Sequence, residues 1–124
     1  MMELKPEGYA EVATKTVDNL VIKKGRVDLA KIVIATKGDT LKRGMVLYYS
    51  EGDGGSLNAT ASGDACAILA EDVVATTDYE EVTAEVYLSG VFNAKVICEI
   101  MGSVQAKELD ALRARDIYIQ SPAD

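Results

Sequence analysis

The segment from Gly63 to Val96, GDACAILAEDVVATTDYEEVTAEVYLSGVFNAKV, carries the clearest structural pattern in this chain of 124 residues. Small and apolar residues run from Ala65 to Ala70, two acids end the run, and an acidic loop follows. From Thr83 to Leu88 apolar and polar residues alternate, until Ser89-Gly90 breaks the pattern. Alternation with a period of two predicts a half-buried strand. The segment therefore predicts a compact β unit with an acidic outer face and no catalytic group.

Two strands are predicted within this segment. The small side chains from Ala65 to Ala70 indicate a strand that another backbone approaches closely. In the second strand, one face is expected to be apolar and the other polar. The apolar face comprises Ala84, Val86 and Leu88, and the opposite face comprises Thr83, Glu85 and Tyr87.

Short apolar runs bounded by turn residues predict further strands on either side of this segment. They cover Leu20 to Ile22, Val27 to Thr36, Met45 to Tyr49 and Ile117 to Ile119. The continuous run Ile32-Val33-Ile34 predicts that its strand is buried on both faces. Phe92 and the run Val96-Ile97-Cys98 are expected to add apolar surface around the turn at Gly90.

A single helix is predicted, from Val104 to Arg115. Ser103 precedes it and is the expected N-cap, since its hydroxyl can accept a hydrogen bond from a free amide of the first turn. Leu109 and Leu112 lie three residues apart and predict one apolar face. Together with the strands, this helix predicts a mainly β domain with one C-terminal α-helix.

The composition excludes several classes of function. The net charge of −7 and the pI near 4.6 argue against nucleic acid or an anionic membrane as a partner, because both recruit clustered Lys and Arg. Histidine, the commonest general base and metal ligand, is absent. No run approaches the ~20 apolar residues of a membrane span, and the N-terminus lacks the apolar core of a signal peptide. We therefore expect no nucleic acid, no membrane, no metal and no cofactor.

The cysteines and the carboxylates are also interpreted as structural. Cys66 and Cys98 lie far apart in apolar segments, so buried free thiols are expected rather than a disulfide. The acids of the predicted loop are interpreted as solvated charges rather than as an acid–base pair; they are Glu71, Asp72, Asp78, Glu80 and Glu81. The Gly-rich loop from Glu51 to Asp64 is long but lacks the lysine of a phosphate-binding loop. We predict that the protein is not an enzyme.

The turn from Gly38 to Leu47, GDTLKRGMVL, leaves a second interpretation open. A Gly-Asp turn followed by a second Gly before a strand is similar to the turn of biotinyl and lipoyl carrier domains. The Met-Lys-Met or Asp-Lys-Ala triplet in which those domains present their modified lysine does not occur. The alternative is therefore a small β-rich carrier or binding module of the biotinyl/lipoyl hammerhead type that lacks this motif.

Three segments, taken in order, resemble the head decoration proteins of tailed bacteriophages, the family of lambda head protein D. Gly38 to Leu47 is similar to the family's "G…L.rGtvL" turn. Ala65 to Asp72, ACAILAED, is similar to its "a.aILaed" segment, and Val86 to Val96, VYLSGVFNAKV, to its strand-turn-strand. The likeness covers about Val12 to Ile119.

This resemblance implies a capsid decoration protein with a bent β-ribbon fold of the β-clip or β-tulip type. It implies a homotrimer that binds the outside of the expanded head at its local three-fold positions and cements the major capsid protein against DNA pressure. The protein is then expected to be made in the cytoplasm of a bacterial host and to end on the outer surface of the virion.

The resemblance also implies an N-terminal arm that becomes ordered on the capsid by adding a strand to the major capsid protein. Met1 to Thr14 is the candidate arm, and residues 15–124 are expected to form the domain. The expected capsid contacts are Leu4, Pro6 and Tyr9. The residues expected near the trimer interface are Ala65, Ala67, Leu69 and Phe92, and it stays open whether they form only the core.

Overall fold

The computed structural model describes residues 19–49, 56–59 and 63–121, and the candidate arm with Leu4, Pro6 and Tyr9 lies outside them. Within these ranges the strands are β1 (Val21–Lys24), β2 (Val27–Ile34), β3 (Thr40–Leu41), β4 (Val46–Tyr49), β5 (Leu57–Asn58), β6 (Ala65–Leu69), β7 (Val73–Val74), β8 (Glu80–Tyr87), β9 (Gly90–Asn93) and β10 (Ile117–Gln120). The helices are α1 (Ala94–Met101) and α2 (Ala106–Arg113), which precede β10.

Five strands close into a small barrel in the order β2-β5-β4-β6-β8. The antiparallel pairing of β2 with β8 is the longest, and it runs from Val27↔Tyr87 to Ile34↔Glu80. β6 pairs with β4 on one side and with β8 on the other. By contrast, a single residue pair among the described residues, Ile32↔Leu57, joins β2 to β5. The described part of the barrel therefore has one long and one short strand pairing at β2.

The chain segments that form β2 and β8 continue into a second sheet. β1 precedes β2 and pairs antiparallel with β9, which follows β8, and β10 adds parallel to β9. At the junction the amide of Arg26 donates to Ser89 Oγ at 2.7 Å. A Cβ at Gly25 would collide with Ser89, and Gly90 adopts φ +137° against the Lys23 carbonyl. Glycines at these two positions therefore permit the close crossing from one sheet to the other.

The core consists of two clusters that share strands. The first lies inside the barrel and includes Ile32, Leu47, Leu69, Ala84 and Val86. The second lies between the barrel and the helices and includes Val46, Ile68, Phe92, Ile97 and Leu112. β6 supplies residues to both clusters, so all five of its residues are buried. A strand covered on both faces needs small or slender side chains, as its sequence ACAIL provides.

The prediction of a mainly β domain with a C-terminal helix is confirmed, but the prediction of one helix is wrong. Ala94–Met101 forms α1, where apolar residues around a strand-turn-strand were expected. Asn93 caps this helix, because its Oδ1 accepts from the Lys95 amide at 2.9 Å. Gly102, with φ +85°, ends it.

The predicted C-terminal helix exists but begins later, and Ser103 is not its cap. Gln105 is the N-cap, and its backbone amide donates to Glu108 Oε1 at 2.9 Å in a capping box. Glu108 also lies near the positive end of the helix dipole. The acid three residues after the cap therefore selects the start of α2.

The prediction that β2 is buried on both faces is wrong. Ile32 and Ile34, which share one face, are buried, whereas Val33 on the other face is only partly buried and Leu29 is 64% exposed. In β8 the predicted alternation holds from Thr83 to Val86. Tyr87 was expected on the polar face but is buried, because the second cluster covers the end of that face and places the Phe92 ring 5.1 Å away.

Candidate functional site

The acidic loop between β7 and β8 is held by its own carboxylates. Glu80 Oε1 accepts hydrogen bonds from the amides of Thr76 at 2.6 Å and Thr77 at 3.2 Å, and from the Thr76 hydroxyl at 2.9 Å. Asp78 Oδ1 accepts from the Lys37 amide at 2.8 Å. The hydrogen bonds from Thr76 lower the pKa of the Glu80 carboxyl below its ordinary value of 4.5.

Two further predicted loop acids accept from backbone amides outside the loop. Glu71 Oε2 accepts from the Glu85 amide at 2.8 Å, and Asp72 Oδ1 accepts from the Arg43 amide at 2.7 Å. These carboxylates are exposed, as predicted, but they also fix the backbone. No group of three or more His, Cys, Asp or Glu arranged to hold a metal occurs within the described ranges.

The two cysteines are free thiols in different environments. Cys66 is buried in β6, and this burial raises the pKa of its thiol, although the nearby charge of Arg115 opposes the shift. Cys98 is exposed on α1, so the prediction that it is buried is wrong.

The turn from Gly38 to Leu47 is tied to the barrel through Arg43. The guanidinium donates to the Ala70 carbonyl at 2.9 Å and to the Tyr87 hydroxyl at 2.7 Å, and its carbon lies 5.5 Å from the centre of the Tyr87 ring. Gly44 and Met45 also exchange backbone hydrogen bonds with Leu69. This turn is therefore a structural element of the barrel wall.

A second polar link joins the barrel to α2. The buried hydroxyl of Tyr48 donates to Glu108 Oε2. Burial and this hydrogen bond to a carboxylate raise the pKa of Tyr48 above its ordinary value of 10.0. The Tyr48 hydroxyl is therefore a neutral donor near pH 7 and not a catalytic base.

The residues expected near the trimer interface are buried within the chain's own core. Their exposed fractions are 2% for Ala65 and 0% for Ala67, Leu69 and Phe92. The core interpretation accounts for this burial, and contact with another subunit through these side chains would require the core to open.

Part of the exposed apolar surface lies elsewhere, around a cleft beside β2. The cleft has a volume of about 410 Å³ and its lining includes Leu29, Tyr49, Leu57, Leu88 and Arg115. Leu29 is 64% exposed and Tyr49 42% exposed. Lys31 lies at the rim, 3.9 Å from Glu81.

Tyr79 forms a second exposed apolar feature, at the tip of the acidic loop. Its side chain is 78% exposed. Its φ is +53°, a left-handed conformation that is rare for a bulky residue. The Glu80 and Asp78 hydrogen bonds hold the loop backbone on either side of this residue.

Sequence reasoning missed these surface residues because single apolar residues give no periodic signal. One local signal existed for Leu29, since Asp28 and Lys31 flank it in a run that is otherwise apolar. For Tyr79 the signal was an aromatic residue inside an acidic turn. Neither signal separates a surface residue from a core residue without the three-dimensional structure.

Comparison with models of known protein families gives no match, and comparison with curated proteins gives none either. None of the helices in the described ranges is long and apolar enough to cross a membrane.

Proposed function

We propose that this protein is a capsid decoration protein that binds, as a homotrimer, to the outside of the expanded head of a tailed bacteriophage. It cements the major capsid protein at local three-fold positions and stabilises the head against DNA pressure. The protein is not an enzyme in this proposal. It is made in the bacterial cytoplasm and acts on the virion surface.

One observation carries this proposal: the three segments that resemble the decoration family are mutual neighbours in the structure. Residues of the first segment pair with the second, at Val46↔Ile68 and Leu47↔Ala67. The second pairs with the third, at Ile68↔Tyr87 and Leu69↔Val86. Segments that share a folding unit are constrained together, so their joint resemblance has a physical basis.

The order of the strand pairings supports the proposed bent β-ribbon of the β-clip or β-tulip type. β2–β8 and β1–β9 follow one another along the same two chain segments, with a break at Gly25 and Ser89. A two-stranded ribbon that bends at this break would have one half in each of two sheets. The pairings have this arrangement, since β2–β8 belongs to the barrel and β1–β9 to the three-stranded sheet.

The proposed mechanism is thermodynamic. A trimer presents three copies of each capsid contact, so the second and third contacts form at a high effective concentration. Since the trimer binds the expanded lattice and not its loose subunits, each bound trimer stabilises the lattice by mass action. The net charge of −7 opposes aggregation of densely decorated heads.

Co-sedimentation with expanded, undecorated heads of the matching phage tests the proposal. Saturation at three copies per local three-fold position is expected. Tyr9→Ala should weaken binding, because Tyr9 is a proposed capsid contact, whereas the matched control Tyr118→Ala should not. Absence of wild-type binding would remove the proposal.

Intact mass spectrometry distinguishes the decoration role from the alternative of a biotinyl or lipoyl carrier module. The unmodified mass of the chain is expected for protein isolated from its native host. A biotinyl or lipoyl group on any lysine would favour the carrier module and contradict the decoration role.

A further inference from the structure

We propose that copies of this chain join head to tail, with Tyr79 of one copy inserted into the cleft beside Leu29 and Arg115 of the next. The closure of this contact after three copies rests on the proposed homotrimer. The contact itself follows from two surface features that lie at opposite ends of β2.

The cleft has the features of a receiving surface. Its lining contains the exposed side chains of Leu29 and Tyr49, and the buried Leu57 also contributes. In the described part of the chain, the guanidinium of Arg115 has no hydrogen-bond or ion-pair partner. Apolar side chains next to a cation without a partner, in a lining that also contains the polar residues Lys31 and Ser56, suit an aromatic group that arrives with negative charge.

Among the described residues, the backbone beside the cleft is also incompletely paired. Within the described ranges β2 meets β5 at Ile32 alone, so its first half has one open edge. The Leu29 amide on this half donates to its neighbour Asp28, at 2.8 Å, instead of to another strand. An open strand edge next to exposed apolar side chains is a surface that a second chain covers favourably.

Tyr79 has the features of the inserted group. It projects from a loop that is held in place by hydrogen bonds donated to the Glu80 carboxylate, so little conformational entropy remains to be lost on association. Left-handed backbone at a bulky residue persists where surrounding contacts impose it, and such positions cluster at functional sites. Tyrosine is also enriched among residues that dominate interface energies.

Charge and geometry favour a head-to-tail arrangement. The Tyr79 loop carries Asp78 and Glu80. Among the described residues no acid lines the cleft, and Glu81 beside it is already paired with Lys31 at 3.9 Å. The Tyr79 amide bonds to the carbonyl of Ala35, six residues beyond Leu29 along the chain, or about 20 Å in extended strand. Two different patches on one copy generate a heterologous contact, which forms a ring when its rotation closes.

Cysteine cross-linking tests this contact directly. In a Cys98→Ser background, which removes the exposed native thiol, the full-length chain would carry Leu29→Cys and Tyr79→Cys and be treated with a short bismaleimide. The double variant should give covalent species that end at three chains. Each single variant should give none, because one half of the contact then lacks a thiol.

Sedimentation of uncross-linked variants supplies a second measurement. Tyr79→Gly should weaken self-association about tenfold or more, whereas Tyr79→Phe, which keeps the ring, should retain it. Trimers that survive Tyr79→Gly would overturn the contact. A double variant that stays uncross-linked would also overturn it. Dimers from Leu29→Cys alone would overturn it as well, because they indicate symmetric pairing of two β2 edges.

The outcomes separate this contact from the decoration role. A cross-linked trimer that fails to bind heads contradicts decoration and supports the contact. A trimer that binds heads without linking through these two positions supports decoration and overturns the contact.

Discussion

β6 and the loop from Thr76 to Glu80 lie within the same segment of sequence, yet they are stabilised in different ways. All five residues of β6 are buried. The loop is largely exposed, and hydrogen bonds donated by backbone amides to its carboxylates define its shape. Apolar burial involves no titrating group, whereas carboxylate hydrogen bonds depend on ionisation. The segment therefore contains a strand whose stability does not depend on ionisation and a surface loop whose hydrogen bonds do.

Removing volume from β6 should give the largest effect. Ile68→Ala leaves a cavity in a fully buried site and should lower the free energy of unfolding by about 2–5 kcal/mol. Chemical denaturation monitored by circular dichroism measures this change. The matched control Ile68→Val should lower it by only about 0.5–1.5 kcal/mol. Equal and small losses for both variants would show that β6 is not a close-packed wall.

Arg43 connects the two regions, and its substitution should have an intermediate effect. Arg43→Met removes the hydrogen bonds to Ala70 and Tyr87 and should lower the free energy of unfolding by about 1–3 kcal/mol. Arg43→Lys keeps the charge but not the two-donor geometry, so its loss should be smaller than that of Arg43→Met. An unchanged denaturation midpoint in Arg43→Met would show that this link is unimportant.

Substitution of Glu80 should disturb the loop and spare the barrel. Glu80→Ala removes the acceptor for the Thr76 and Thr77 amides, so these amides should exchange with solvent faster while amides of β6 keep their protection. Hydrogen exchange followed by NMR measures both sets in one sample. Faster exchange in β6 would contradict the separation of the two regions.

Acid should loosen the loop before the barrel. The folded pKa of Glu80 is lowered, so its stabilising contribution is complete above its ordinary value of 4.5 and is lost as pH falls through the lowered pKa. The amide chemical shifts of Thr76 and Thr77 should follow this titration, and those of β6 should not. Titration of both sets together would indicate global unfolding instead.

Tyr79→Gly should give the smallest change in stability. Glycine accepts a φ of +53° without steric cost but adds freedom to the unfolded chain, so the two effects nearly cancel. The free energy of unfolding should stay within about 1 kcal/mol of wild type. Thermal unfolding at a concentration where both proteins are monomeric measures it, and a large loss would show that Tyr79 is a structural residue.

The sequence predicted the strands well wherever the hydrophobic pattern matched burial. Thr83 to Val86 alternates in sequence and in the structure, and the small residues of β6 lie between two clusters. Helix α1 was missed because Val96-Ile97 is β-branched, although the capping residue Asn93 and the terminating Gly102 were visible. The capping acid Glu108 likewise outweighed Ser103 as a start signal for α2.

The candidate site was less predictable because it depends on distant parts of the chain. Leu29, Tyr49 and Arg115 meet only after the barrel closes and α2 docks beside it. The residues expected at the trimer interface have an apolar pattern, which predicts burial but does not say whether the same chain or another subunit buries them. Ala67 is buried by its own chain, and no local sequence rule distinguishes this from burial by another subunit.

The long pairing of β2 with β8 has a consequence for synthesis and folding. Its partners are 60 residues apart at Val27↔Tyr87 and 46 apart at Ile34↔Glu80. A ribosome adding about 5–20 residues per second exposes β2 for several seconds before β8 emerges. Pairing between such distant segments also slows folding relative to local structure. Lys23 and Lys24 in β1, Arg26 between the strands and Lys31 in β2 place positive charge along this stretch. These charges disfavour pairing between the unpaired β2 strands of neighbouring nascent chains.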